Sequence, residues 1–193
     1  MTMGLEYNQF EQLPYLGYNI ISYLFRNEMI WKLLKYDDYD CLEKPNLTDD
    51  EKSQMVWRNQ DNQSDYNVFL TKLELDSVGD TRTILKIYDY SITPENRLLA
   101  TICTKFDVVT IGKAHLVDYN GVPVNRVTLI KQQIIKTLNG ADVNGVGEMA
   151  FDTMLSRWCT STLDLSNNKN AYGDSFVLAC KMGTLGVNEY GED

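Results

Sequence analysis

Between Ile20 and Lys52 the chain declares its local architecture more firmly than anywhere else. The run Ile30-Trp31-Lys32-Leu33-Leu34-Lys35-Tyr36 sets its apolar residues at helical spacing and its lysines off that stripe. It ends in Asp37-Asp38, and Lys44-Pro45-Asn46-Leu47-Thr48 opens a second helix. Thr48 and Glu51 stand in T-x-x-E spacing, where the hydroxyl takes an orphan backbone N–H and the carboxylate reaches back to the cap residue. The segment predicts a helix, an acidic elbow and a capped helix from Asp49 to about Trp57. Upstream, Leu13, Leu16, Ile20 and Leu24 carry the helical spacing back to residue 13. Tyr15, Tyr18, Tyr23, Phe25 and Trp31 thicken this stripe beyond what one buried face needs. A large core is the plainer explanation. The other is a surface for a neighbouring subunit, with Tyr23, Phe25 and Trp31 as its anchors.

Downstream the pattern turns β-like. Runs at Val68–Asp76, Thr81–Ser91 and Leu98–Thr110 are rich in β-branched and aromatic residues. Ser77-Val78-Gly79-Asp80 and Thr93-Pro94-Glu95-Asn96 separate them, and such short links predict antiparallel neighbours. Facing stays open: Leu73 and Leu75, with Leu85 and Ile87 or with Ile84 and Tyr88, turn to the core. Asn59 to Asp65 has no apolar residue and reads as an exposed loop. Asp118 to Pro123 is a turn. Asn125 then caps a helix whose stripe is Val127, Ile130, Ile134 and Leu138, stopped at Asn139-Gly140. Gly145–Trp158 alternates loosely in a strand-like way, Leu165–Asn170 is a polar loop, Ser175–Met182 a last strand, and Thr184–Asp193 an acidic tail. The whole predicts a single α+β domain over 1–193, a small antiparallel sheet with helices packed on one face. Its parts are a helical segment at 13–57, a sheet core at 66–183 and the tail at 184–193.

Charge narrows the function. Eighteen basic residues against 27 acidic leave a net −9, which opposes the phosphate neutralisation that supplies most affinity for nucleic acid. Residues 37 to 65 alone hold nine acids against three bases, a net −6. A solvated face is the bland explanation. The functional one is a patch facing a partner or a channel, with Asp37, Asp38, Asp49 and Asp50 as candidate interaction residues, since a wall that DNA slides past should repel phosphate. No apolar run is long enough to cross a bilayer, and Met1 to Gln12 lacks a basic region and an apolar signal core.

Chemistry has few footholds. Cys41, Cys103, Cys159 and Cys180 form no CxxC pair, and His115 is the only imidazole, so neither a metal nor a cofactor is expected. Ile111-Gly112-Lys113-Ala114-His115 lacks the first Walker glycine and has Ala114 where the magnesium-binding hydroxyl belongs. No G-x-S-x-G elbow accompanies His115, which reads as a satisfied structural histidine. Gly140, Gly145 and Gly147 follow a helix rather than a strand, so they are turn residues and not a dinucleotide fingerprint. Adjacent carboxylates such as Asp37 and Asp38 do not converge on one substrate. No catalytic residues are expected.

The segment Ile30 to Lys52 resembles one near the start of neck proteins of tailed bacteriophages, the small subunits that join the DNA-filled head to the tail. The inferred element order resembles that of tail-terminator and tail-completion proteins. The resemblance implies a tail-terminator-like fold and a structural, non-enzymatic protein of the virion neck or tail, assembled in the host cytoplasm. It also implies a homo-oligomeric ring of six or twelve copies, contacts with portal, neck or tail proteins, and DNA passing through without sequence-specific binding. The tract from Asp152 to Asp174 and the loop from Asn59 to Asp65 exceed what a minimal terminator needs. The competing readings are a small acidic phage-encoded enzyme and a regulatory or DNA-mimicking binding module.

Overall fold

The structure, a computed structural model, describes residues 9–58, 62–72, 81–96, 99–144, 146–160 and 171–183. Its helical start is divided. A 3-10 segment, Gln9–Tyr15, contains Pro14 and leads into α1 (Leu16–Leu24), and α2 (Glu28–Lys35) begins after a break. The break is held by side chains that take the carbonyls at the end of α1. Trp31 Nε1 donates to Leu24 O at 3.0 Å and Lys52 Nζ to Phe25 O at 3.1 Å. Asn27 Nδ2, just before α2, donates to Thr137 Oγ1 at 2.8 Å, so the turn is also tied to a distant helix. Satisfying these helix-end groups with side chains lets the chain change direction at no hydrogen-bonding cost. A periodic stripe shows none of this, because both halves face the same core.

The T-x-x-E motif forms as the sequence predicts. Glu51 N–H donates to Thr48 Oγ1 at 3.3 Å, and Thr48 N–H donates to Glu51 Oε2 at 2.7 Å. These bonds hold the exposed Glu51 carboxyl below the usual range. The helix, α3 (Asp49–Gln54), stops short of Trp57 because Trp57 N–H donates to Val68 O and Val56 bridges to Val68 in parallel. Thr48→Ala is expected to lower stability by about 1 kcal/mol in urea unfolding.

The sheet begins with β1 (Val68–Phe69), which is shorter than predicted and runs parallel, not antiparallel, to β2 (Arg82–Pro94). Asn67 explains why: its side chain donates to Leu34 O and Thr83 O, and its carbonyl accepts from Leu85 N–H. About a dozen residues separate the two strands, the length a parallel crossover needs. The predicted strand beyond Lys72, with Leu73, Leu75 and the turn at 77–80, lies outside the described residues, as do the tail at 184–193 and the loop at 165–170. β3 (Leu99–Ile111) pairs antiparallel with β2, as predicted, with a bulge between Asp89 and Ser91. β4 (Leu116–Tyr119) and β5 (Val122–Asn125) form a separate hairpin around Asn120 and Gly121, both at positive φ, the two-residue turn that Asn-Gly favours.

α4 (Arg126–Leu138) has its predicted cap, Asn125 Oδ1 accepting from Thr128 N–H at 3.0 Å, and stops at Gly140, where φ is +77°. After β6 (Asp142–Val143), the tract at 147–160 divides into β7 (Gly147–Asp152) and α5 (Thr153–Thr160), where the sequence predicts only a strand. Asp152 makes the switch: its Oδ1 accepts from Leu155 N–H at 2.8 Å, capping the helix. β8 (Ala171–Gly183) pairs with all of β3, giving the order β1-β2-β3-β8-β7-β6.

The fold is therefore α+β, with a mostly antiparallel sheet. α1, α2 and α4 contribute to one core with Leu85, Ile87, Phe106, Phe176 and Leu178. The facing left open upstream thus resolves in favour of Leu85 and Ile87, while Ile84 joins a smaller cluster with Phe69, Val109 and Ile111. The stripe Val127, Ile130, Ile134 and Leu138 is wholly buried in the main core. α5 lies on the other side, where Leu155 packs on Cys103 and Val177. Among the described residues no helix is long and apolar enough to cross a membrane.

Candidate functional site

The candidate anchors separate on folding. Trp31 is fully buried, and Phe25 packs edge-on against it at 4.9 Å between centroids. This corrects the expectation that Trp31 anchors a partner, because its indole has no free face and its N–H is spent on Leu24. Tyr23 and Phe25 are half-buried, and Tyr23 carries the Arg26 guanidinium over its ring at 4.5 Å. The aromatic surface of this region is instead Tyr15, 58% exposed, and Tyr18, 64% exposed.

The acidic residues divide in the same way. Asp38 and Asp40 face solvent and share Lys44, at 3.4 and 3.3 Å. Asp49, also exposed, reaches Lys52 at 3.4 Å, and Asp50 is exposed. Lys52 is itself buried, and its shorter bridge, 2.9 Å to Glu28, ties α3 to the start of α2. Glu28 also accepts from Leu47 N–H at 2.6 Å. Asp37 alone turns inward.

A residue that carries no signal in the sequence holds this elbow. Arg126, the first residue of α4, is completely buried. Its Nη1 donates to Leu33 O at 2.8 Å and Tyr36 O at 2.6 Å, and its Nη2 donates to Asp38 O at 2.8 Å. A guanidinium thus closes the end of α2, where helix carbonyls lack backbone donors and a positive charge is favoured. The β4–β5 hairpin adds Asp118 N–H, which donates to Tyr39 O at 2.8 Å. The exposed, charged elbow is thereby tied to the body of the fold through its main-chain carbonyls.

The electrostatics around Asp37 follow from those bonds. Burial raises its carboxyl to about 6, against the pull of Arg126 and with Asp38 adding to the rise. Arg82 pulls in the same direction as Arg126 but is also committed to backbone, its Nη1 donating to Gln63 O at 2.9 Å. Cys41 is buried beside Arg126, and burial raises its thiol despite the guanidinium.

The imidazole and the buried carboxylate of the sheet are engaged by neighbouring side chains. His115 Nδ1 lies 3.0 Å from Thr110 Oγ1, and its ring meets Tyr172 edge-on. The Gly112–His115 stretch is a turn, with Gly112 at φ +74° pressed on Thr81. Asp107 receives Tyr88 Oη at 2.7 Å and Ser175 Oγ at 2.5 Å and pairs with Lys105 at 3.4 Å. A buried carboxylate so supplied with donors braces the sheet. Cys41, Cys103 and Cys180 are free, and burial pushes Cys180 to about 12, far from the thiolate a nucleophile or metal ligand needs. Among the described residues no three His, Cys, Asp or Glu side chains group to hold a metal.

No curated protein and no solved structure matches the chain. A family model does match, over residues 27–181, a span that runs from the break before α2 through the elbow and the sheet into β8. With most of its length covered, the chain belongs to the YomW family, a phage-type protein family.

Proposed function

We propose that this chain is a structural virion protein of a tailed bacteriophage, forming a homo-oligomeric ring in the neck as a head-tail connector or tail completion or terminator subunit. Membership of a phage-type family supports the phage setting. The observation that carries the reading is the elbow, whose exposed carboxylates Asp38 and Asp40 stand on backbone clamped by a buried arginine. A wall that DNA slides past needs fixed negative charge and no phosphate-gripping cations. Tyr15 and Tyr18 supply amphipathic surface of the kind enriched at subunit contacts. In this reading the ring has six or twelve copies, docks on portal, neck or tail proteins, and is assembled in the host cytoplasm. It uses no metal, cofactor or catalytic residue.

Mass photometry and negative-stain imaging of the purified protein, alone and with its portal, test this. Closed rings of six or twelve are expected, joined by two different complementary patches on each subunit. A monomer that persists with the portal would overturn the proposal. So would tight DNA binding at physiological salt. Capture of a DNA-binding protein by the acidic face would favour the mimic reading instead.

A further inference from the structure

Asp37 sits where the fold places a carboxylate but supplies it with no donor. Its Oδ1 is enclosed and makes no hydrogen bond among the described residues, and the same holds for Arg126 Nε. The groups facing it are Arg126 from α4, Arg82 from β2 and Asp38 from the elbow itself. Arg126 spends its Nη donors on three carbonyls, Arg82 bonds Gln63 O and Tyr66 O, and Asp38 is drawn outward by Lys44. Cys41 lies on Arg126 and adds no charge at neutral pH. A half-enclosed carboxylate in such a place is favoured when neutral and drawn toward water when ionised.

We infer that the elbow, residues 36–40, is a charge-controlled latch: closed on Arg126 when Asp37 is neutral, and the first part of the subunit to open when Asp37 is ionised. The mechanism is short-range. Asp37 lies between two of the residues whose carbonyls Arg126 holds, Tyr36 and Asp38, so an ionised side chain moving to solvent pulls on both bonds. The exposed carboxylates of Asp38 and Asp40 move with it, so the latch sets how rigidly the acidic face is presented. This does not depend on ring formation and is tested on the isolated subunit.

The sign follows from the raised carboxyl. Stability from a neutral Asp37 is complete below about 4 and is lost as pH rises through about 6. Amide hydrogen exchange, corrected for intrinsic rates, reads the opening of residues 36–43 against amides of β3. In the wild type the local opening constant should rise several-fold, at most roughly tenfold, between pH 5 and 7.5, tenfold being what the full carboxyl shift gives in that window and half exposure reducing it. Asp37→Asn should hold it flat at the closed value. Carbon-13 titration of the Asp37 carboxyl in the wild type, which needs no variant, should give a midpoint near 6. A midpoint near 4, or an Asp37→Asn variant that opens with pH as the wild type does, would overturn the latch.

Discussion

Arg126→Met should destabilise the isolated subunit by about 3–5 kcal/mol in urea unfolding. Methionine fills much of the same volume, so the loss reads the guanidinium rather than a cavity. Three carbonyls, those of Leu33, Tyr36 and Asp38, lose their donor at once. A deprived buried carbonyl costs about 1–3 kcal/mol, while recovery of the arginine's own desolvation keeps the total below the full sum. The defect should also depend on pH. Arg126 pulls the Asp37 carboxyl down, so its removal raises that carboxyl further and makes ionised Asp37 more costly. The loss should therefore be greater at pH 7.5 than at pH 5. Arg126→Lys should recover little, because an ammonium cannot span three carbonyls set for a planar fork. Wild-type stability in Arg126→Met would show that the clamp contributes nothing.

Trp31→Ala should cost about 3–5 kcal/mol in the isolated subunit, before any assembly is considered. The indole is fully enclosed beneath Phe25, and removing it leaves a void among packed side chains. It also leaves Leu24 O with only the Asn27 N–H, so the turn between α1 and α2 loosens. Incorporation into particles should fall only as far as the folded fraction falls. Tyr18→Ala offers the contrast, since an exposed ring contributes little to the monomer's stability. A Trp31→Ala subunit that melts like the wild type yet fails to assemble would restore Trp31 to the surface and contradict the packing described above.

Most of the backbone plan was legible along the chain because its signals are local. Thr48 and Glu51 bond across a single turn, Asn125 caps the helix it begins, and Asn120-Gly121 adopts the positive φ that its residue types favour. The β2–β3 pairing followed from two alternating runs joined by a short turn. The errors fell where a distant partner outweighed the local pattern. Asn67 bonds Leu34 and Thr83 and so curtails β1 and sets it parallel to β2, while Asp152 converts a weakly alternating run into strand and then helix.

Residue types and spacing alone determined an acidic α+β chain with a capped helix, an acidic elbow and a long antiparallel hairpin. Which aromatics and carboxylates reach the surface was decided only in three dimensions. Periodicity cannot distinguish Trp31 from Tyr18, because both belong to a continuous helical stripe, and only the break after Leu24 turns one inward and leaves the other out. Arg126 carried no signal because its partners are main-chain carbonyls about ninety residues away, and a carbonyl has no identity in a sequence. Asp37 and Asp38 are neighbours of one type, yet one is half enclosed beside a guanidinium and the other faces water beside Lys44. Burial and the direction of donors, which exist only once the chain has packed, separate them.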